Sequence, residues 1–422
     1  MRIGFYLDLE DLGHIDCGNI LDGNPGLGGS EYEFLLVSYL LENRDNNIEP
    51  ILLLRSKLKV PHNNVKFVYR GVTDLCDVCV KEGISLLVIN QGQFDKAIFD
   101  IYSKQISLIL WAHNVMPYSK LSLIDKLPYV KRIVCCGREM LELFRDHSVS
   151  RKSTYVYNIF PIHEKEWYEG KIDFSDNHNV AYMGMLHQGK GFHVLARSWK
   201  DILKKVPDAQ LYVIGSGKLY DKNAKLGKYG IASEEFENLI MPYLEDEAGK
   251  LLPNVHFMGL MGVEKYEVLG ECKVAVPNPT GCSECLPITS IEMQLMGCNI
   301  TTIRHPAYLD TVGNHTYLYK KTSDIVEYIS KRLLAPRDDY QDTYNFITEK
   351  FCMRNSISRW EHIIYTIDKK MQIEPYSCNS FQIKSLKNFL LYVKLKFPFL
   401  CILPPIEKFY NFYRDRISKY NQ

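Results

Sequence analysis

Short apolar, β-branched runs alternate with helix-length stretches along the whole of this 422-residue chain, and that rhythm narrows the possible folds most. In the first half the runs are Ile3–Leu7, Pro50–Leu54, Val65–Tyr69, Leu86–Ile89, Ser107–Trp111, Arg132–Cys136 and Thr154–Tyr157. In the second half they are Val180–Met183, Leu211–Ile214, Val255–Met258, Val274–Val276, Ile300–Ile303 and Tyr317–Tyr319. Continuous apolar strands separated by helices belong to parallel sheets buried on both faces. Two successive series therefore predict an α/β chain of two doubly wound, Rossmann-like domains facing across a cleft. The expected bounds are 1–165 and 176–345, joined through the charged stretch Pro161 to Asp176. A helix is expected over 350–370 and a separate tail over 381–422.

The stretch Val274 to Arg304, VAVPNPTGCSECLPITSIEMQLMGCNITTIR, holds the densest chemistry. It starts as a strand, breaks at Pro277 and Pro279, and carries Glu284 in a loop. A helix then opens with Pro287 in its first turn, where the missing N–H costs nothing. Ile288, Ile291 and Leu295 mark its buried face, and Gly297 ends it. Loop and helix N-terminus fall outside the carboxyl end of a buried strand, where open α/β sheets bind ligands and free N–H groups favour phosphate. Glu284 and Glu292 then suit hydroxyl groups, because ionised carboxylates only accept hydrogen bonds.

This stretch resembles the donor-site signature of the retaining GT-B glycosyltransferases of family 4 (glycosyl transferases group 1), roughly E-G-F-P-L-x-x-x-E-A-M-x-x-G-x-P-V. Glu284, Pro287, Glu292 and Gly297 stand at matching positions, with Ile288 close to the usual Leu. Cys285 replaces Gly, Leu286 replaces Phe, Met293-Gln294 replace Ala-Met, and Asn299 replaces Pro. The resemblance implies that Glu284 contacts the donor sugar and Glu292 the nucleotide ribose, with Leu286 and Pro287 beside them. It also gives the first domain to the acceptor and the second to a nucleotide sugar.

Other segments resemble the family in its own order. Gly28-Gly29-Ser30-Glu31 is similar to a G-G-x-E loop facing the donor phosphate, with Ser30 as expected N-cap and Glu33 three residues on. His113 follows a strand at the position from which the family's His reaches the reacting sugar. Gly184 ends a strand, and Lys190-Gly191 precede a helix, similar to G-R-L-x-x-x-K-G; Lys190 suits a diphosphate there. Met185 stands where the family has Arg, with Lys218 the nearest replacement in sequence. Gly215 and Gly217 form another strand-end turn, and NVHFMG at 254–259 is similar to a nucleotide-framing N-V-x-F-x-G. The implied catalytic residues are Glu284, His113 and Lys190. The implied reaction is metal-independent, cofactor-free transfer of a hexosyl group, with retention, from a nucleotide-diphosphate sugar to a glycan or lipid-linked acceptor in surface polysaccharide synthesis. A nucleotide-sugar 2-epimerase of the same architecture and a non-catalytic carbohydrate-binding protein are the rivals.

Composition excludes some partners. A net charge of +1 argues against nucleic acid, and neither Cys76/Cys79 nor Cys282/Cys285 has neighbours at zinc-site spacing. The N-terminus turns acidic within a few residues and reads as a strand, so a cytoplasmic location with reduced thiols is expected. The segment 381–422 is different: eight cations against Glu407 and Asp415 give it +6, interleaved with aromatic residues. Lysines interrupt each apolar run, so it reads as a tail attaching peripherally to an anionic membrane surface rather than spanning it.

Overall fold

The computed structural model describes residues 1–8, 15–25, 27–44, 47–218, 225–371, 383–406 and 408–409; part of the basic tail therefore lies outside the described residues. The chain divides into two compact units, Met1–Pro161 with Met353–Gln422, and Ile162–Cys352.

The first unit is built on seven parallel strands: β1 (Arg2–Leu7), β2 (Glu49–Leu54), β3 (Val65–Phe67), β4 (Leu86–Asn90), β5 (Ser107–Ala112), β6 (Val130–Cys135) and β7 (Ser153–Tyr155). Their order is β3-β2-β1-β4-β5-β6-β7. Phe5 is in register with Leu52 on one side and Val88 on the other, and its side chain is fully buried. The helix Gly29–Glu42 covers one face through Phe34, Leu35, Leu36 and Val37. The helix Met353–Asp368 completes the same core: Trp360 meets Phe5 at 6.3 Å and Trp111 at 4.6 Å between ring centroids.

The second unit has a five-stranded parallel sheet ordered β10-β9-β8-β11-β12. Its strands are β8 (Asn179–Met183), β9 (Gln210–Ile214), β10 (Val255–Gly259), β11 (Val274–Ala275) and β12 (Asn299–Ile300). The single strand expected over Ile300–Ile303 is split. After Thr301 donates its N–H to Ala275, the Thr302 hydroxyl turns to the Pro277 carbonyl, and β13 (Thr302–Ile303) pairs instead with β14 (Leu318–Tyr319). The stretch read as a linker holds the helix Lys165–Glu169, and its Tyr168 is buried. In both sheets the order reverses at the first strand, between β1 and β4 and between β8 and β11. Such switch points are where doubly wound sheets leave room for a ligand.

Trp360 is fully buried. Replacing it by Ala should cost the first unit about 3–5 kcal/mol through lost burial and the cavity left behind. Denaturant unfolding of Trp360→Ala measures this, and a loss below about 1 kcal/mol would mean that the helix Met353–Asp368 is not part of that core.

Candidate functional site

The switch point of the second unit gathers the sequence's chief candidates. Because β8 and β11 are hydrogen-bonded neighbours, the loops leaving their carboxyl ends run side by side. Lys190 lies on the β8 loop, and Glu284 on the β11 loop. The Lys190 ammonium reaches Glu284 Oε1 at 2.7 Å, with both side chains largely shielded from water. The Asn278 side-chain amide donates to the same oxygen at 2.8 Å. A single carboxylate oxygen thus accepts one hydrogen bond from a cation and one from a neutral amide.

Close backbone approach makes this possible. Gly191 has φ +74°, and a Cβ there would meet Asn278 Oδ1 at 2.8 Å. Gly215 has φ +139°, and its Cβ would lie 1.9 Å from the Gly184 carbonyl oxygen, so no side chain fits where β8 and β9 end. Gly217 donates its N–H to Ile231 and packs on Ala232. Tyr182 donates its hydroxyl to the Lys190 carbonyl at 2.8 Å, and Tyr308 donates to the Asn278 carbonyl at 3.3 Å. Burial, and the Glu284 carboxylate beside them, push both phenols up, so they stay protonated donors. Ser283, just before Glu284, holds φ at +59°, a left-handed conformation that a residue with a Cβ adopts only when its surroundings enforce it.

The helix Ile288–Leu295 begins one residue later than expected. Pro287 is its N-cap, not its first-turn residue, and supplies no side-chain cap, while Leu286 is buried. Glu292, one turn into this helix, is held by a different cation: Lys265 Nζ lies 2.5 Å from its Oε1, and the Tyr266 hydroxyl donates to it at 3.3 Å. Trp167 meets Tyr266 edge-on at 5.4 Å, so the short helix Lys165–Glu169 supports this pair. Lys265, Tyr266, Asn278, Tyr182 and Tyr308 were not singled out in the sequence. The first two directly follow the turn after β10, and that strand-end position was the available signal; nothing local marked the others. Among the described residues no group of three or more His, Cys, Asp or Glu could hold a metal ion.

The first unit presents its own candidates separately. Gly28, not Ser30, is the N-cap of the helix Gly29–Glu42, and Gly29 is its first residue. Glu33 makes no capping box. It points into the core and accepts the Ile159 N–H at 2.9 Å, and burial raises its carboxyl well above the usual range. His113 follows β5 with its ring against Trp111 and Phe34. Both ring nitrogens are buried without a hydrogen-bond partner, and burial pulls the imidazole down to about 3. Neighbouring Asn158 counters this only in part, since its amide makes no well-formed bond to the ring. His113 is therefore neutral at physiological pH and can act through hydrogen bonds, not as an acid.

Residues 177–334 match the family described as "Glycosyl transferases group 1". No curated protein sequence matches the chain. Among solved structures, HepE from Anabaena in complex with UDP and glucose is similar at 14% identity and TM-score 0.57, over 87% of this chain and 100% of that one. Sucrose-phosphate synthase from Thermosynechococcus elongatus is similar at 13% identity and TM-score 0.62, over 87% and 99%. The catalytic domain of starch synthase IV from Arabidopsis thaliana, bound to ADP and acarbose, is similar at 11% identity and TM-score 0.56, over 86% and 98%. The fold is thus GT-B, two Rossmann-like α/β units in one chain.

The neutral histidine has a consequence for stability. Between the unfolded value near 6.5 and the folded value of about 3, the unfolded chain binds a proton that the native ring refuses, so stability falls as pH drops through that window. His62, pulled down to about 4 by burial, acts with the same sign. Each should remove about 2 kcal/mol between pH 6.5 and 5. In denaturant unfolding followed over this range, His113→Asn should show a shallower loss than the parent chain; an unchanged slope would contradict a buried neutral ring.

Proposed function

We propose that this chain is a retaining, metal-independent glycosyltransferase that moves a sugar from a nucleotide-diphosphate sugar to a glycan or lipid-linked acceptor, in surface polysaccharide synthesis. The observation that carries the proposal is the Lys190–Glu284–Asn278 cluster at the β8/β11 switch point, inside the segment that matches the glycosyltransferase family. Structures of similar fold hold UDP with glucose and ADP with acarbose, which fits this donor class.

The chemistry follows from charge. As the bond between the anomeric carbon and the β-phosphate oxygen breaks, negative charge grows on the leaving diphosphate. The Lys190 ammonium and the first N–H groups of the helix Ile288–Leu295, which no side chain caps, are fixed positive ends able to offset it. Glu284 accepts hydrogen bonds from sugar hydroxyls, and Glu292, with Lys265 and Tyr266, from those of the ribose. The acceptor hydroxyl attacks the anomeric carbon from the face the diphosphate leaves, and its proton passes to a departing phosphate oxygen. Configuration is retained, and neither glutamate serves as base. With Met185 in place of the family's Arg, Lys190 carries a larger share of the phosphate interaction.

Glu284→Gln and Lys190→Ala should each lower kcat/KM for transfer by about 10²–10³-fold while the chain still folds, and Lys190→Ala, which leaves the Glu284 carboxylate without its cation, should also lower the thermal midpoint. Wild-type kcat/KM in either variant would remove that residue from the mechanism. Nucleoside diphosphate released only when acceptor is present distinguishes a transferase from both rivals. In a thermal-shift screen of UDP, GDP and ADP, one should raise the midpoint, and Lys190→Ala should abolish the rise; no response to any would contradict a nucleotide donor.

A further inference from the structure

The basic tail is turned the opposite way from what its charge suggests. The helix Ile383–Lys396 packs on the first unit through its cations. Lys387 is buried and donates to the Glu142 carbonyl. Lys394 meets Asp146 Oδ2 at 3.2 Å with both side chains almost wholly shielded. Asn388 Oδ1 accepts from Arg145 at 2.6 Å, and Asp146 also takes the Ile406 N–H at 2.9 Å. These bonds fix the rotation of the helix, and apart from Lys396 the exposed side chains described on it are apolar.

Leu386, Phe389 and Tyr392 form the outer stripe of the helix, and Phe397, Phe399 and Ile402 continue it through the turn beyond. Phe399 and Ile402 are 74% and 80% exposed. Nine of the 24 exposed large hydrophobic side chains among the described residues fall between 386 and 409. Scattered exposed apolar residues need no explanation, but one continuous ridge does. In water alone a helix should bury Phe389 and expose Lys387 and Lys394; this one does the reverse at those three positions, so the ridge has an occupant.

We infer that this ridge lies in the interface of an anionic phospholipid bilayer, its aromatic side chains at the boundary between headgroups and acyl chains. Charge favours this occupant over a protein. Lys396 and Lys408 are exposed beside the ridge, and from 383 to 409 the sequence has five lysines against the single acidic residue Glu407. Exposed cations flanking aromatics match an anionic lipid surface, whereas the core of a protein interface is depleted in lysine. Phe399 and Ile402 lie in a short helical turn, Pro398–Ile402, that buries none of its residues. Among the described residues no helix is long and apolar enough to cross a membrane, so contact is lateral. Insertion of apolar side chains provides the affinity; Lys387 and Lys394, held by protein, contribute none. This inference is independent of the transfer reaction.

The test uses the full chain and sedimentation with vesicles of phosphatidylcholine and phosphatidylglycerol at about 3:1. The double variant Phe399→Ser, Ile402→Ser should bind these vesicles at least about tenfold more weakly, with an unchanged thermal midpoint, because both side chains already face water. In a separate Tyr392→Trp variant, a blue shift of emission should appear only when vesicles are added. Equal binding by the double variant and its parent overturns the inference. So does a loss produced by Lys396→Glu with Lys408→Glu but not by the serines. Blue-shifted Tyr392→Trp emission without vesicles would show the ridge covered by protein, by its own chain if independent of concentration and by a second copy if not, and either result overturns it.

Discussion

The β8/β11 adjacency is the constraint on which the functional reading rests. Lys190 and Glu284 are 94 positions apart in sequence, and only the reversal of strand order places their loops side by side. The contact is an ion pair in a partly shielded setting, where a charge loses water and must be matched by a partner or a ligand. Without a diphosphate, Glu284 matches Lys190, and Asn278 shares the load. On the proposed function, a donor that brings its own negative charge would take over the lysine and leave the carboxylate to sugar hydroxyls. The strained Ser283 and the glycine at 191 hold the pair within reach.

Glu292 follows the same logic with a second cation. Its carboxylate pairs with Lys265 one turn inside a helix, where acidic side chains also gain from the dipole. The first unit uses both solutions: Lys394 pairs with Asp146 and Arg145 with Glu142 in shielded settings, whereas burial raises the Glu33 carboxyl and pulls the His113 imidazole down.

Much of this was legible in the sequence because it follows from local periodicity. Apolar runs located the sheet strands, and the Pro287…Gly297 spacing located the helix carrying Glu292. What escaped has a non-local cause. Nothing near Thr302 announces that its hydroxyl will bond the Pro277 carbonyl and divert the chain into a separate two-stranded sheet. Lys265 and Asn278 look like ordinary turn residues until tertiary structure brings them to the carboxylates. The tail is the sharpest case. Composition located its lysines and aromatics correctly, but which side faces out depends on Glu142 and Asp146, more than 240 positions earlier.

The most direct test of the account is a crystal structure with a bound nucleotide sugar. The account predicts a pyrophosphate oxygen within hydrogen-bonding distance of Lys190 Nζ, the sugar beside Glu284, and the ribose hydroxyls on Glu292. A donor bound elsewhere, or one that leaves the Lys190–Glu284 pair intact and untouched, would contradict it.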